Sequence, residues 1–185
     1  TSHQISKAKA AGIDHIVLGT AFKAEVFREG LGDGSKLGVK ISYAYEPEQL
    51  GTGGGIRNAA ELLTCGPEDP VVVFNGDVLS QHNLAAQIDF HKEANADVTL
   101  HLIQVEDARA FGCVPTSADG QVEAFLEKME NPVTTWINAG CYVFSRSVID
   151  AIPDGKVVSV ERETFPQLLA ADKKVFGFVD RSYWL

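Results

Sequence analysis

No run of apolar residues approaches the ~20 that a membrane-spanning helix needs, and the opening Thr1-Ser2-His3-Gln4 is no signal peptide. Positive charge is also in short supply. Sixteen Lys+Arg stand against 25 Asp+Glu, a formal net charge of −9. A protein that tracks nucleic-acid phosphates carries a basic footprint, so neither nucleic acid nor membrane is expected as a partner. A small anionic substrate stays open, because a few local cations can hold one. Cysteine is scarce too. Cys65, Cys113 and Cys141 are isolated, odd in number and free of any Cys-x-x-Cys spacing, which excludes a disulfide framework or a metal or redox pair. They lie in or beside apolar stretches and are expected as buried thiols in a reducing, cytoplasmic setting.

Other absences narrow the chemistry. The five histidines show no His-x-Glu or His-x-x-x-His spacing for zinc, and no Gly-x-Ser-x-Gly elbow marks a hydrolase. There is no Gly-x-x-x-x-Gly-Lys-Ser/Thr, and a dinucleotide fingerprint starting at Gly51 would need glycine where Ile56 stands. No linker, repeat or low-complexity tract divides the chain. Its 185 residues, 45% hydrophobic and 22% charged, read as one globular domain spanning 1–185. No initiator Met is present and the first residues already read as a helix, so an internal piece of a longer chain is expected.

The pattern alternates. Helices are expected over Thr1–Ala11, Lys23–Leu31, Ile56–Leu63 and Leu84–Ala94, with strands at His15–Gly19, Val39–Tyr45, Val71–Phe74 and Val98–Ile103. Val71-Val72-Val73-Phe74 is a continuous apolar run, the signature of a strand buried on both faces. Further short strands are expected at Cys113–Val114, Val122–Leu126, Gly140–Phe144 and Val175–Val179, and helices at Ser147–Ile152 and Ser159–Leu169. Strand–helix alternation of this kind predicts an α/β domain with a mixed, mainly parallel sheet in three layers.

Four segments could carry chemistry. Gly51-Thr52-Gly53-Gly54-Gly55 opens a helix and reads equally as a sharp turn or as a loop closing on a flat or phosphorylated ligand. Asp77 follows an apolar strand, where parallel sheets place their ligand crevice. Asn75 and Gly76 ahead of it permit close approach, and one carboxylate with substrate phosphates can hold Mg²⁺. The alternative is an Asp capping a helix over 78–81. Glu127-Lys128 could pair with sugar hydroxyls and a phosphate, or be a solvated surface ion pair. Asn138-Ala139-Gly140 could present a polar side chain or be an ordinary turn before a strand.

In order along the chain, Glu46-x-x-x-Leu50-Gly51-Thr52-Gly53-Gly54-Gly55-Ile56, Phe74-Asn75-Gly76-Asp77, Phe111-Gly112-Cys113-Val114, Phe125-x-Glu127-Lys128 and Asn138-Ala139-Gly140-x-Tyr142 resemble the sugar-1-phosphate nucleotidyltransferases. Phe111-Gly112-Cys113-Val114-Pro115-Thr116 and Ser159-Val160-Glu161-Arg162-Glu163-x-Phe165-Pro166 are similar to the bacterial branch that uses GTP and mannose-1-phosphate. The resemblance covers the whole chain. It implies a three-layer Rossmann-like domain and in-line attack of a sugar-1-phosphate oxygen on the α-phosphorus of a nucleoside triphosphate, with Mg²⁺ as cofactor. It implies nucleotide contacts at Glu46, Leu50, Gly51, Thr52, Gly53 and Gly76, and a metal on Asp77. Gly112, Glu127, Lys128 and Asn138 would bind the sugar phosphate, with Asp77 and Lys128 as the catalytic pair.

Three departures stand out. The family's Gly-x-Gly-Thr-Arg-Leu loop and downstream Lys-Pro should precede residue 1. A second aspartate should follow Tyr183-Trp184-Leu185, and Gln49 stands where proline is common. The resemblance therefore implies a domain truncated at both ends, poorly active by itself. A UTP- or dTTP-dependent glucose-1-phosphate enzyme, a non-catalytic nucleotide-sugar-binding relative and a homo-oligomer all stay open.

Overall fold

The computed structural model describes residues 1–20 and 24–185. Six helices and six strands alternate through most of it: α1 Ser2–Ala10, β1 His15–Thr20, α2 Ala24–Leu31, β2 Lys40–Tyr45, α3 Gly51–Ala60, β3 Pro70–Phe74, α4 Leu84–Glu93, β4 Val98–Gln104, β5 Trp136–Ser145, α5 Arg146–Asp150, α6 Phe165–Ala170 and β6 Val175–Val179. Lys23, the expected start of the second helix, lies outside the described residues.

β4 shows how the layers arise. Val98, Leu100 and Leu102 point to one face and join Tyr142, Phe144, Val148, Ile149 and Phe165 in the main core. Thr99 and His101 point to the other face, toward α4, where Gln87 donates to the Thr99 carbonyl at 3.2 Å and His91 meets the Thr99 hydroxyl at 2.9 Å. Alternation along one strand thus separates an apolar layer with α5 and α6 from a polar buried layer with α4. Phe165 is fully buried between Phe125, stacked at 4.8 Å, and Tyr142 at 5.4 Å.

The larger sheet has strand order β3-β5-β4-β6. β4 and β6 are parallel, and β5 runs antiparallel to both β3 and β4. Three of its four strands therefore share a direction, with β5 reversed, the mixed and mainly parallel sheet expected. β1 and β2 form a separate parallel pair over a small core of Ile5, Val39 and Ile41.

Several expectations shift. β3 is half-buried rather than covered on both faces, because it pairs with β5 alone among the described residues and its outer edge lines a cleft opposite β1. Cys113–Val114 and Val122–Leu126 form isolated bridges (Cys113 with Leu126, Thr116 with Val122) instead of strands, since turns at Asp119-Gly120 break each ladder at once. The helix expected over 159–169 is a π-helical turn, Val160–Thr164, running into α6. Cys113 and Cys141 are buried and Cys65 is half-buried, all as free thiols.

Candidate active site

The C-terminal end of β3 delivers the first group. After Phe74 the chain turns through Asn75-Gly76-Asp77. No helix follows over 78–81, which removes the capping alternative for Asp77. The turn is held from outside: Asn75 N donates to the Gly140 carbonyl at 2.8 Å, and Gln4 of α1 donates to the carbonyls of Asn75 and Val78 at 2.8 and 3.1 Å. Farther on, Leu79 and Leu185 exchange two backbone bonds of 2.8 Å. Asp77 itself is exposed and has no ion-pair partner among the described residues. These residues contain no cluster of three metal-ligating side chains, so a cation here would take one carboxylate and draw its other ligands from substrate and water.

β5 bends where it passes this turn. Its register against β4 slips, Leu100 facing Tyr142 but Leu102 facing Asn138, so two extra residues bulge from β5. Gly140 takes φ +75° inside the bulge, and a Cβ there would sit 2.8 Å from Val78 and 2.9 Å from the Asn75 side chain. Asn138-Ala139-Gly140 is therefore a strand bulge rather than a turn before a strand, and its glycine makes room for the Asp77 turn. Trp184 donates to the Ala139 carbonyl at 2.9 Å.

The glycine run forms the first turn of α3 instead of a loop ahead of it. Gly51 has φ +69°, and a Cβ on it would lie 2.6 Å from the Val158 carbonyl; one on Gly53 would lie 2.9 Å from the Val158 side chain. Gly54 similarly faces the Lys156 carbonyl. Close approach is needed here, and in this structure it is residues 156–158 that approach. Gly53 N donates to the Val158 carbonyl at 2.8 Å, Val158 N to Leu50 O at 2.9 Å, and Val160 N to the Thr52 hydroxyl at 2.9 Å. Gly55 instead faces the Glu46 carboxylate, 2.8 Å from where its Cβ would be. Glu46, Gly51, Thr52 and Gly76 all line the cleft of about 860 Å³ between β1 and β3, whereas Gly53 is buried under Val158.

Two of the remaining residues, Glu127 and Asn138, are reached by side chains of the 160–164 turn. Gly112 sits against the Leu126 carbonyl, 2.8 Å from where its Cβ would be, because Cys113 and Leu126 exchange backbone bonds of 2.9 and 3.0 Å. Glu127 and Lys128 follow, both exposed. Arg162 reaches Glu127 at 3.0 Å, and Lys128 has no ion-pair partner among the described residues. Asn138 donates through its amide nitrogen to the Tyr142 hydroxyl at 2.8 Å and to Glu161 at 2.7 Å, while its oxygen accepts from Gly140 N at 3.1 Å. Burial pushes the pKa of the Tyr142 phenol up. A polar chain thus runs from Tyr142 through Asn138 to Glu161.

Behind the site the α4 layer holds a second polar group. His82 Nδ1 accepts from the Lys7 ammonium at 2.8 Å and lies 2.7 Å from the Ser80 hydroxyl, its Nε2 donates to Gln87 Oε1 at 2.9 Å, and the ring stacks on His101 at 3.9 Å. Neither ring nitrogen of His101 has a partner among the described residues. Burial holds His82 down to about 3 and His91 and His101 to about 4, with Lys7 and His101 adding repulsion at His82.

Glu161, Arg162, Tyr142 and Asn75 were not among the sequence candidates for direct roles. Their only sequence signal is membership of the phrases around Ser159, Asn138 and Asn75.

The whole chain, residues 1–185, matches the family described as "Nucleotidyl transferase". It is 57% identical over 184 residues to a mannose-1-phosphate guanylyltransferase of Mycobacterium tuberculosis, covering 99% of this chain and 50% of that protein. It is 37% identical over 185 residues to a mannose-1-phosphate guanyltransferase of Yarrowia lipolytica, with the same coverage. Among solved structures, HddC from Yersinia pseudotuberculosis superposes with a TM-score of 0.79 at 25% identity, over 98% of this chain and 76% of that one. The chain spans about half the length of the curated relatives it matches. It belongs to the nucleotidyl transferase family.

Proposed function

We propose that the polypeptide containing these residues transfers a guanylyl group from GTP to mannose-1-phosphate, giving GDP-mannose and pyrophosphate. The observation that carries the substrate assignment is the 57% identity, unbroken over 184 residues, to a protein named for that reaction. Open backbone at Gly76 and the Glu46 carboxylate along the cleft support a nucleotide there. We assign Leu50, Thr52 and Gly53 to the same side, as residues that set the backbone against which the nucleotide rests. Gly112, Glu127 and Asn138 would take the sugar, and the Lys128 ammonium, without an ion-pair partner among the described residues, its phosphate.

In-line phosphoryl transfer asks the protein mainly for positioning and charge neutralisation. Asp77 would hold Mg²⁺, which neutralises charge developing on the phosphate oxygens. Lys128 would fix the attacking oxygen, and the carboxylate and amide on the sugar side would fix the ring that carries it. No helix among the described residues is long and apolar enough to cross a membrane. A cytoplasmic setting is part of this reading.

The test is pyrophosphate release by the natural full-length polypeptide with Mg²⁺, across GTP, UTP and dTTP against mannose- and glucose-1-phosphate. A maximum at GTP with mannose-1-phosphate is expected. A maximum elsewhere would overturn the substrate, and binding without release would point to a non-catalytic relative.

A further inference from the structure

The turn that carries Asp77 has little to hold it from within. Among the described residues, the only backbone bond inside 75–78 runs from Val78 N to the Asn75 carbonyl, at 3.3 Å. A side chain at Gly76 would meet nothing within 4 Å. Asp77 is exposed and makes no ion pair among the described residues. Its carboxylate is therefore placed by backbone alone, and a neighbouring glycine makes that backbone harder to fix. A carboxylate that shares one cation with substrate phosphates gains from being fixed in advance.

The restraint comes from α1. Ile5 and Ala8 of this helix are buried, Ile5 in the small core with Val39 and Ile41. Positions 3, 4 and 7 are neighbours on another face of the helix. All three reach the segment that carries Asp77. Gln4 Nε2 donates to the carbonyls of Asn75 at 2.8 Å and Val78 at 3.1 Å. Lys7 Nζ donates to the Ser80 carbonyl and hydroxyl, both at 3.0 Å, and to His82 Nδ1 at 2.8 Å. His3 Nε2 lies 3.1 Å from the same Ser80 carbonyl.

Counting donors separates Gln4 from Lys7. A side-chain amide nitrogen has two N–H donors and an ammonium three. Gln4 spends both on the first and last residues of the turn, so one side chain ties its two ends together with Asp77 between them. Lys7 spends all three beyond the turn, where His82 leads through Gln87 to the Thr99 carbonyl of β4. Gln4 shapes the turn, and Lys7 fastens the segment after it to the core.

We infer that Gln4 is a positioning residue for the Asp77 carboxylate, an inference that rests on the reading of Asp77 as holder of the divalent cation. By closing the turn from α1, Gln4 presents the carboxylate already placed. Without its two donors, the glycine-containing turn is free to aim the carboxylate elsewhere, while the strand beneath it stays paired with β5.

Calorimetry of GTP binding to the natural full-length polypeptide, in Mg²⁺ and in EDTA, tests this. The ratio of the two affinities is the gain due to the cation. Gln4→Leu keeps side-chain bulk and removes both donors. It is expected to cut the gain about 10-fold, the lower end of the effect of losing a group that supports a metal ligand, with affinity in EDTA within about twofold of wild type. In turnover assays the Mg²⁺ concentration for half-maximal rate should rise by a similar factor, and the KM for mannose-1-phosphate should stay within about twofold. Gln4→Ala removes the same donors without apolar bulk and should agree. Lys7→Met should lower the melting temperature more than either and leave the gain unchanged. With the gain abolished in Asp77→Asn, three results overturn the inference alone: an undiminished gain in both Gln4 variants, equal losses in Mg²⁺ and EDTA, or the same loss of gain in Lys7→Met. A wild type without any gain, or an Asp77→Asn that keeps all of it, removes the reading of Asp77 and this inference together.

Discussion

The two sides of the candidate site are made from opposite materials. On the α3 side the chain presents glycine and backbone, and the space that a side chain would fill is taken by residues 156–158. On the β5 side it presents amide, phenol and carboxylate groups joined in a hydrogen-bonded chain from Tyr142 through Asn138 to Glu161. The first side is specified by exclusion and tolerates no added atom. The second is specified by polar pairing and tolerates changes of size better than loss of a donor or acceptor. A single segment, 156–164, serves both, which makes it the element that sets the distance between them.

The largest effect should come from the residue that belongs to neither side. Asp77→Asn is expected to lower turnover about 10³-fold with little change in melting temperature, because the exposed carboxylate makes no ion pair among the described residues. Unaltered turnover would remove Asp77 from the metal site.

Next comes exclusion on the α3 side. Gly54→Ala drives a methyl into the Lys156 carbonyl, whereas Gly76→Ala meets nothing within 4 Å. Urea unfolding should show a loss of about 1–3 kcal/mol for the first and almost none for the second. Equal losses would mean that the glycines of α3 are not held by packing.

Acid provides a smaller and graded probe of the layer behind β5. His82, His91 and His101 are neutral in the fold, at about 3, 4 and 4. Below pH ~6.5 the unfolded chain binds protons that the native one refuses, so stability should fall as pH drops from about 6.5 toward 4. Replacing His101, whose ring nitrogens have no partner among the described residues, with Phe should flatten that slope, since one group that must charge is gone. A pH-independent midpoint over this range would contradict the buried, neutral state. Smallest of all, Arg162→Gln should change stability by less than about 1 kcal/mol, because its partner Glu127 is as solvated as it is.

Much of this was legible in the sequence. The run Val98–Ile103 declares a strand, and Asp77 sits where the motif and the sheet direction both place it. What could not be read was pairing across long separations. The helix that opens on Gly51 looks like a loop until residue 158 is known to fill its glycines, and Val160 bonds Thr52 across 108 positions. Val71–Phe74 has the composition of a strand covered on both faces, yet it lies at a sheet edge among the described residues. Cys113 and Val122 have strand propensity, but the turns between them leave room only for single bridges. Glu161 is legible only as a member of the Ser159 phrase, and its hydrogen bond to Asn138, 23 residues away, leaves no mark in the sequence.

That one segment sets both sides is the central claim, and Gly53→Ala tests it most directly. The added methyl would sit 2.9 Å from a Val158 side-chain carbon, too close for carbon–carbon contact, and its three nearest atoms all belong to Val158. Kinetics of the full-length polypeptide should show the KM values for GTP and for mannose-1-phosphate rising together, the second through displacement of Glu161 and Arg162. A rise for GTP alone, with the sugar KM unmoved, would contradict the coupling and leave the two sides independent.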